Sequence, residues 1–470
     1  MRFGVLAVSV LLITSACSAP RPEKSTGFPI AGSYEIDAVF YPEKSVMKAA
    51  AVVNAHTDQS DSIIFFLHGE LNIDSLFVNG VKTEFASSKE YTYYNYSLVV
   101  NRTAFSHPAN NAGELELTVY YSGYFNPSRA RSPSDYMRID PDDGVLLRSF
   151  PYSIWFPVFQ HGTVESYPVD FTRVSITTPK EFRALFSGEM ISEEVKGDER
   201  VSVWQAMGLD YSNAQCTARK YEVLSGEGIY VYHLRNDSSR AHARDILTLA
   251  KNINNDYAEN YGEPADKNTL YIMEMPKYGD ISSANVTGIS SEAWYNFDKA
   301  TWPKILIAHE LVHPYVQINL PPSNPFYAFA IEGFPSYFHL PALGKYVGDG
   351  WYEKRMLQIE KSYLAKREKG IGRRGRPLPP EAPILSLSVD NIASYKDTFV
   401  LNDRVVLFFD YLMRKTGEER FMQFSKELFA RDDLDYDIFE ALVLKYAPDI
   451  KDELAVWLKS TEYPAEFRLQ

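Results

Sequence analysis

The sequence contains very little cysteine: Cys17 and Cys216 are the two cysteines in 470 residues. A chain with so few cysteines has no disulfide framework, so its fold must rest on hydrophobic cores and on any metal that it binds. Basic residues are also in the minority, with 48 lysines and arginines against 61 aspartates and glutamates and a net charge of −13. Nucleic-acid-binding proteins need a basic face, so this balance argues against a nucleic-acid partner.

Long apolar runs are missing beyond the first residues of the chain, and no later segment has the length of about 20 apolar residues that crosses a bilayer. Residues 4–13 are apolar, follow Arg2 and precede a short stretch of small residues. This pattern predicts a signal peptide over residues 1–17. Residues 18–30 are polar and contain proline, which predicts a tether.

The cysteine that ends the small-residue stretch resembles the lipidated cysteine of bacterial lipoproteins. The resemblance implies a lipid anchor on Cys17, which would be the chain's one link to a membrane. Ser18 in the next position implies the outer membrane, with the protein facing the periplasm or the surface. Thr14 stands where lipoprotein signals usually have leucine, so ordinary cleavage, giving a soluble periplasmic or secreted protein, stays open as the alternative.

The first half of the chain has residue patterns typical of strands, and the second half has patterns of both strands and helices. Over residues 31–225, short alternating runs such as 62–67, 115–120 and 174–177 are separated by turn signals such as Asn79-Gly80, which predicts an all-β sandwich or saddle. Residues 226–470 predict an α+β domain that ends in a helical bundle. Its predicted strands are 229–234, 270–275 and one that begins near 288. Its predicted helices are 238–261 (with Asp237 or Ser238 as cap), 351–369, 397–415, 418–431, 435–446 and 449–460.

The strongest chemical signal is a pair of histidines four residues apart. His309 and His313 return to nearly the same helix face, because a helix advances about 100° per residue, so both imidazoles can reach one metal ion. Eighteen residues separate His313 from Glu332, which supplies a third ligand for one zinc ion, Zn²⁺. Glu310 lies beside the position left for water and is the candidate general base. The pattern predicts a zinc-dependent hydrolase.

These residues and their spacing resemble the gluzincin metallopeptidases of the aminopeptidase N and leukotriene hydrolase type. The eighteen-residue gap matches that family, and residues 332–337 are similar to its third-ligand helix. Residues 34–37 are similar to the first strands of its β-domain, and residues 155–157 to the segment that joins this domain to the active site. The resemblance runs from about residue 32 to the C-terminus. It implies a thermolysin-like catalytic domain, a peptide substrate, and a role for Tyr395 in donating a hydrogen bond to the oxyanion.

The sequence also departs from the family's pattern at several points. Asn285 stands where the family has a glutamate that holds the substrate's free amine, and an amide cannot attract an ammonium as a carboxylate does. Glu274 or Glu292 are the candidate substitutes. Pro314 should end or kink the helix directly after the second histidine, and the family's long C-terminal helical domain has no counterpart before Gln470.

The interpretation that these observations favour is a zinc aminopeptidase acting on exported or environmental peptides. A zinc endopeptidase, a hydrolase of non-peptide substrates on the same fold, and a surface binding protein that keeps zinc for structure are the alternatives. The basic segment 366–377 is either a solvated loop or a grip for a substrate carboxylate. The sequence does not specify an oligomeric state.

Overall fold

The computed structural model describes residues 29–57, 62–94, 96–106, 113–125, 137–142, 144–147, 154–159, 169–209, 214–263, 269–275, 281–283, 285–316, 320, 324–371, 378, 381–387 and 400–469. The predicted signal peptide lies outside these residues, as does most of the predicted tether. Among the described residues, no helix combines the length and the apolar character needed to span a bilayer.

The first half of the chain is built from strands. In chain order they are β1 Ile30–Tyr41, β2 Val46–Thr57, β3 Ser62–His68, β4 Leu71–Val78, β5 Val81–Lys82, β6 Phe85–Tyr94, β7 Tyr96–Ser106, β8 Gly113–Tyr124, β9 Met137–Asp140, β10 Gly144–Leu147, β11 Val169–Pro179, β12 Arg183–Phe186, β13 Glu189–Lys196, β14 Glu199–Leu209 and β15 Cys216–Arg219. They form an eight-stranded sheet in the order β13-β14-β11-β1-β2-β8-β4-β5, a four-stranded sheet β12-β15-β10-β9 and a three-stranded sheet β3-β7-β6.

Alternation of apolar and polar residues determines which face of each strand is buried. On β8, Leu115, Leu117 and Val119 are buried while Glu114 and Glu116 point to solvent. This is the period of two expected for a sheet with one face on a core. The predicted turn at Asn79 is present between β4 and β5, with the residue in the left-handed region at a φ of 49°. The predicted β-rich first half is therefore confirmed.

A five-stranded mixed sheet begins the second half. Its strands are β16 Tyr221–Gly226, β17 Ile229–Leu234, β18 Leu270–Met275, β19 Ile281–Ser283 and β20 Val286–Ser290, in the order β16-β17-β18-β20-β19. β16 pairs with β17, so residues 221–225 belong to this sheet, although the sequence placed them at the end of the sandwich. Strands β17, β18 and β20 are parallel, and β19 pairs antiparallel with β20.

The two faces of this sheet belong to two different hydrophobic cores. Alternate residues of β18 separate cleanly: Leu270 and Ile272 join the core that contains the helices, whereas Tyr271, Met273 and Met275 join the core of the sandwich. Strands buried on both faces carry near-continuous apolar runs, and every residue of β18 is buried. The five-stranded sheet is therefore the layer that joins the sandwich to the helical part.

Helices cover the other face of the sheet and account for most of the remaining described residues. They are α1 Asp237–Tyr261, α2 Ser291–Tyr295, α3 Trp302–Glu310, α4 Pro325–Ala328, α5 Phe334–Val347, α6 Trp351–Lys369, α7 Val405–Thr416, α8 Glu418–Phe429, α9 Tyr436–Tyr446 and α10 Lys451–Lys459. Helix α6 has the predicted bounds. The α+β prediction, with a helical C-terminal part, is confirmed.

The start of α1 differs from its prediction by one residue. Asn236 is the N-cap, and its side-chain oxygen accepts a hydrogen bond from the Ser239 amide at 2.8 Å. Asp237 and Ser238, the predicted caps, lie already within the helix or its first turn. The extended backbone of Asn236 explains the difference, because the cap is the last residue before helical dihedrals begin. The helix ends as predicted before Gly262, whose φ is 94°.

Candidate metal centre

Helix α3 carries the first histidine and the candidate base. Pro303 lies in its first turn, where a missing amide hydrogen costs nothing, and Thr301 occupies the N-cap without a side-chain capping bond. Ile307 and Ala308 face the core, and the Tyr257 hydroxyl of α1 donates to the Ala308 carbonyl at 2.9 Å. The helix is thus fixed against α1 one residue before His309.

The helix ends within the motif. Helix α3 stops at Glu310, and residues His313–Tyr315 form a single 3-10 turn that contains Pro314. Proline lacks the amide hydrogen that a continued helix would need. A break near Pro314 was predicted directly after the second histidine, but the helix ends earlier, at Glu310, so that His313 lies outside it. Both histidines nevertheless stay on one side, since their ring centroids are 5.2 Å apart.

Glu332 approaches from a separate element. It lies in a π-helical turn, Phe329–Gly333, inserted between α4 and α5. Its Oε2 atom is 3.8 Å from Nε2 of His309, and its side chain is half exposed. The Ser336 hydroxyl donates to the Glu332 carbonyl at 2.8 Å. The structure thus brings Glu332 to His309 across 22 intervening residues, and π turns are often found at functional sites.

The side chains present suit a zinc ion. One ligand atom each from His309, Glu310 and His313 lies within 4.8 Å of the others, and Nε2 of His313 is 3.6 Å from a Glu310 oxygen. This group of three contains Glu310, whereas Glu332 lies outside it, beside His309. Imidazole nitrogen and carboxylate oxygen are the usual donors to zinc, with three protein ligands in catalytic sites. The donor set fits zinc, which His309, His313 and Glu332 could hold with Glu310 beside them.

The surroundings shift the pKa values of His309 and His313 in opposite directions. Burial lowers the pKa of His313, which favours the neutral ring that binds metals. Burial acts in the same direction on His309, but the hydrogen bond with Glu332 and the charges of Glu310 and Glu332 outweigh it, so the pKa of His309 is raised. His309 also bonds to the Pro335 carbonyl, a contact of the kind that orients metal-binding imidazoles.

A third histidine, which the sequence analysis did not select, lies against this group. The ring of His339 is 5.6 Å from that of His309, and its Nδ1 atom lies 2.6 Å from the Pro335 carbonyl that it donates to. Burial lowers the pKa of His339 to about 3, so this ring is neutral. The sequence signal that could have selected His339 is its spacing. It follows Glu332 by seven residues, which is about two helical turns.

Two of the three candidate substrate-binding residues are occupied within the protein. Glu274 is fully buried and accepts hydrogen bonds from the Leu234 amide at 3.0 Å, from the Ser239 hydroxyl and from the Ser291 hydroxyl at 3.1 Å. It therefore connects the first turns of α1 and α2 to the sheet. Glu292, in contrast, is exposed in the first turn of α2.

Asn285 lies in the turn between the edge strand β19 and β20. Its amide nitrogen donates to the carbonyls of Gly188 at 3.0 Å and Thr269 at 2.8 Å, and its oxygen accepts from the Gly188 amide at 3.1 Å. Both donor hydrogens are used, so Asn285 joins the sandwich to the five-stranded sheet. One lone pair on its oxygen remains for a ligand.

The remaining predicted residues lie partly outside the described part of the chain. Tyr395 is outside it, as are residues 372–377 of the basic segment. The first residues of that segment belong to α6 and make ion pairs within the protein. Lys366 lies 2.6 Å from Asp403, and Arg367 lies 3.0 Å from Glu381. At these two positions the segment's charge is neutralised by protein carboxylates.

Comparison with protein-family models gave no match, and comparison with curated protein sequences gave none either. Solved structures do match. Native yeast LTA4 hydrolase superposes with a TM-score of 0.65 at 14% identity, covering 96% of this chain and 72% of that one. An M1 zinc metallopeptidase from Deinococcus radiodurans gives 0.61 at 13% identity, covering 94% and 97%. A mutant of that protein bound to a Tyr-Ser-Ala substrate gives 0.60 at 14% identity, covering 93% and 95%. The chain therefore has the fold of the M1 zinc metallopeptidases.

Proposed function

We propose that this chain is a zinc-dependent metallopeptidase that hydrolyses peptide bonds at the free N-terminus of its substrates. The observation that carries the proposal is that His309, Glu310 and His313 place one ligand atom each within 4.8 Å of the others, and that a separate element brings Glu332 to 3.8 Å from His309. A zinc site kept only for structure needs no carboxylate beside its ligands, because structural sites are closed by four ligands. The fold of the M1 zinc metallopeptidases is in agreement with it.

The protein's own residues divide the chemical work between them. Zinc held by His309, His313 and Glu332 would polarise the scissile carbonyl and make a water molecule more acidic. Glu310 takes the proton from that water and passes it to the leaving nitrogen. Tyr395 donates a hydrogen bond to the oxyanion that forms on the former carbonyl.

Recognition of the free N-terminus needs a carboxylate near the start of the substrate. Glu274 has both oxygens bonded inside the protein, and Asn285 has no charge. Glu292 is the exposed carboxylate of the three candidates, and we assign it the ammonium contact. Zinc-dependent endopeptidase activity is the second candidate function, because Asn285 stands at the family's amine-binding position with both of its donors engaged.

Matched peptides test the proposal and its alternative. The full chain would be incubated with one peptide in free and N-acetylated forms, with and without a zinc chelator. Cleavage of the free form alone, abolished by the chelator and restored by zinc, supports the aminopeptidase. Equal cleavage of both forms supports the endopeptidase. A protein that binds zinc but hydrolyses neither peptide nor an ester substrate would contradict the proposed enzymatic function.

We also propose that the protein is exported and attached to a membrane by a lipid on Cys17. The support is the signal-peptide pattern over residues 1–17 and the cysteine that ends it. Labelling of the expressed full-length protein with a fatty-acid probe measures this directly. Incorporation that disappears in Cys17→Ser supports the anchor, and an unlabelled, released protein would favour ordinary cleavage.

A further inference from the structure

A polar cavity of about 430 Å³ lies where the sandwich meets the second half of the chain. Arg183 comes from β12 of the sandwich, while the other lining residues come from β16, β17 and α1 or the turn before it. They are Tyr221, Glu222, Val223, Leu224, His233, Arg235, Arg240 and Arg244. The volume falls in the range of roughly 300–1,000 Å³ that is usual for small-molecule sites, which often lie between domains. None of the candidate zinc ligands lines it.

The cavity carries more positive charge than its own carboxylates neutralise. Arg240 forms an ion pair with Glu222, and Arg183 pairs with Glu193 at 3.0 Å. Arg235 and Arg244 make no ion pair with any described residue. Two guanidinium groups therefore remain in excess at one place on a chain whose net charge is −13. Folding does not require this arrangement, since exposed arginines next to one another repel.

A buried histidine nitrogen also lines the cavity without a partner. His233 has a fully buried side chain, and its Nδ1 atom lies 2.8 Å from the Leu234 carbonyl. When the ring is neutral, its one hydrogen is on Nδ1, which leaves a lone pair on Nε2. Nε2 has no hydrogen-bond partner among the described residues, and Glu222 is 4.0 Å away. Buried polar atoms nearly always have a partner, so this acceptor points to a ligand that brings a donor.

We propose that this cavity binds a small phosphate ester that also carries a hydroxyl group. Arg235 and Arg244 would hold the phosphate, because guanidinium groups match its oxygens in a two-pronged geometry. A ligand hydroxyl would donate to Nε2 of His233. The same chemistry belongs to free phosphorylated metabolites and to glycerophosphate lipid headgroups.

Titration calorimetry with glycerol 3-phosphate tests the inference on the full-length protein. We expect saturable binding by the wild type and an affinity at least tenfold weaker in R235Q/R244Q, which removes the two arginines that lack ion pairs. The matched control is R173Q/R420Q, which removes two exposed arginines elsewhere and should bind as the wild type does. Glycerol alone and sodium chloride of equal ionic strength should give no saturable signal.

Two further measurements make the outcome decisive. Circular dichroism of both double variants should match the wild type, because exposed arginines without ion pairs contribute little to folding. Phosphatidylglycerol vesicles distinguish the sources: vesicle binding displaced by glycerol 3-phosphate assigns the site to a headgroup, and no vesicle binding assigns it to a free metabolite. Absent binding, or equal binding by R235Q/R244Q and the wild type, would overturn the inference. Peptide hydrolysis is a separate readout, so such a failure would leave the peptidase proposal standing.

Discussion

At the scale of single residues, the metal centre is asymmetric. His313 is buried and its pKa is lowered, whereas carboxylates outweigh burial at His309 and raise its pKa. Metal ligands must be deprotonated, so the carboxylates that raise the pKa of His309 also make proton release part of metal binding as the pH falls.

Replacing the candidate base tests its role without removing a ligand. Glu310→Gln keeps the shape of the side chain but cannot accept a proton from water. We expect zinc content, measured by mass spectrometry, to be unchanged and kcat for a free peptide to fall by about 10²–10⁴-fold. The exposed Glu418→Gln serves as control and should keep full activity. An active Glu310→Gln enzyme would remove this residue as the base.

Tyr395 is tested by the loss of its hydroxyl alone. If that hydroxyl stabilises the oxyanion, Tyr395→Phe should lower kcat by about 10²–10³-fold and leave KM nearly unchanged, because the bond strengthens only in the transition state. Tyr124, an exposed tyrosine of β8, gives the matched control Tyr124→Phe. A change confined to KM, or an unchanged kcat, would argue against this role.

At the scale of elements, the sequence predicted those helices and strands whose positions follow from local residue patterns. Helix α6, the strand β18 and the end of α1 before Gly262 were predictable, because each follows from an apolar period or from a residue that favours a left-handed backbone. The π turn at Glu332 was not predictable from an apolar period. His339 was missed because its role arises from contact with His309 in space, not from the motif.

Gly333 sets how closely α7 approaches the turn that carries Glu332. A Cβ atom at this position would lie 2.9 Å from Cγ1 of Val405, which is closer than real side chains allow. Gly333→Ala should therefore destabilise the protein by about 1–3 kcal/mol through overpacking, and zinc affinity should fall with it. Guanidinium denaturation and competition with a zinc chelator measure the two effects.

Two further variants show whether the loss in Gly333→Ala comes from the contact with Val405 or from any replacement of glycine by alanine. Gly333→Ala combined with Val405→Ala should recover zinc affinity, because the second change removes the atom in conflict. Gly344 lies in α5, the helix that follows the turn, and a Cβ there would be 3.6 Å from its nearest neighbour, so Gly344→Ala should be neutral or stabilising. Equal losses in Gly333→Ala and Gly344→Ala would show that the contact with Val405 is not the cause.

At the scale of the whole molecule, the sandwich and the helical part depend on one shared sheet. Tyr232, Tyr271 and Met273 of that sheet are buried in the core of the sandwich, and Asn285 ties the same sheet to Gly188. The sequence predicted the two halves but not this sharing, because a continuous apolar strand does not reveal which core each face will meet. The catalytic half therefore has an apolar surface that the sandwich covers.

Separate expression of the second half tests this dependence. A fragment spanning residues 220–470 keeps the five-stranded sheet and all candidate zinc ligands, but exposes the face that the sandwich covers. We expect it to aggregate, because a large exposed apolar patch drives association. Light scattering after size-exclusion chromatography measures this. Threonine at positions 232, 271 and 273 should improve the fragment's solubility, and a monomeric, zinc-binding unmodified fragment would contradict the expectation.

The π turn Phe329–Gly333 has a consequence for insertions and deletions. It contains one more residue than an α turn, so losing a residue there would restore ordinary helical spacing. Everything after it would rotate by about 100° relative to α4. Glu332 and His339 now both face His309, and a rotated helix could present one of them at most. The length of this turn is therefore as constrained as the identities of Glu332 and Gly333 within it.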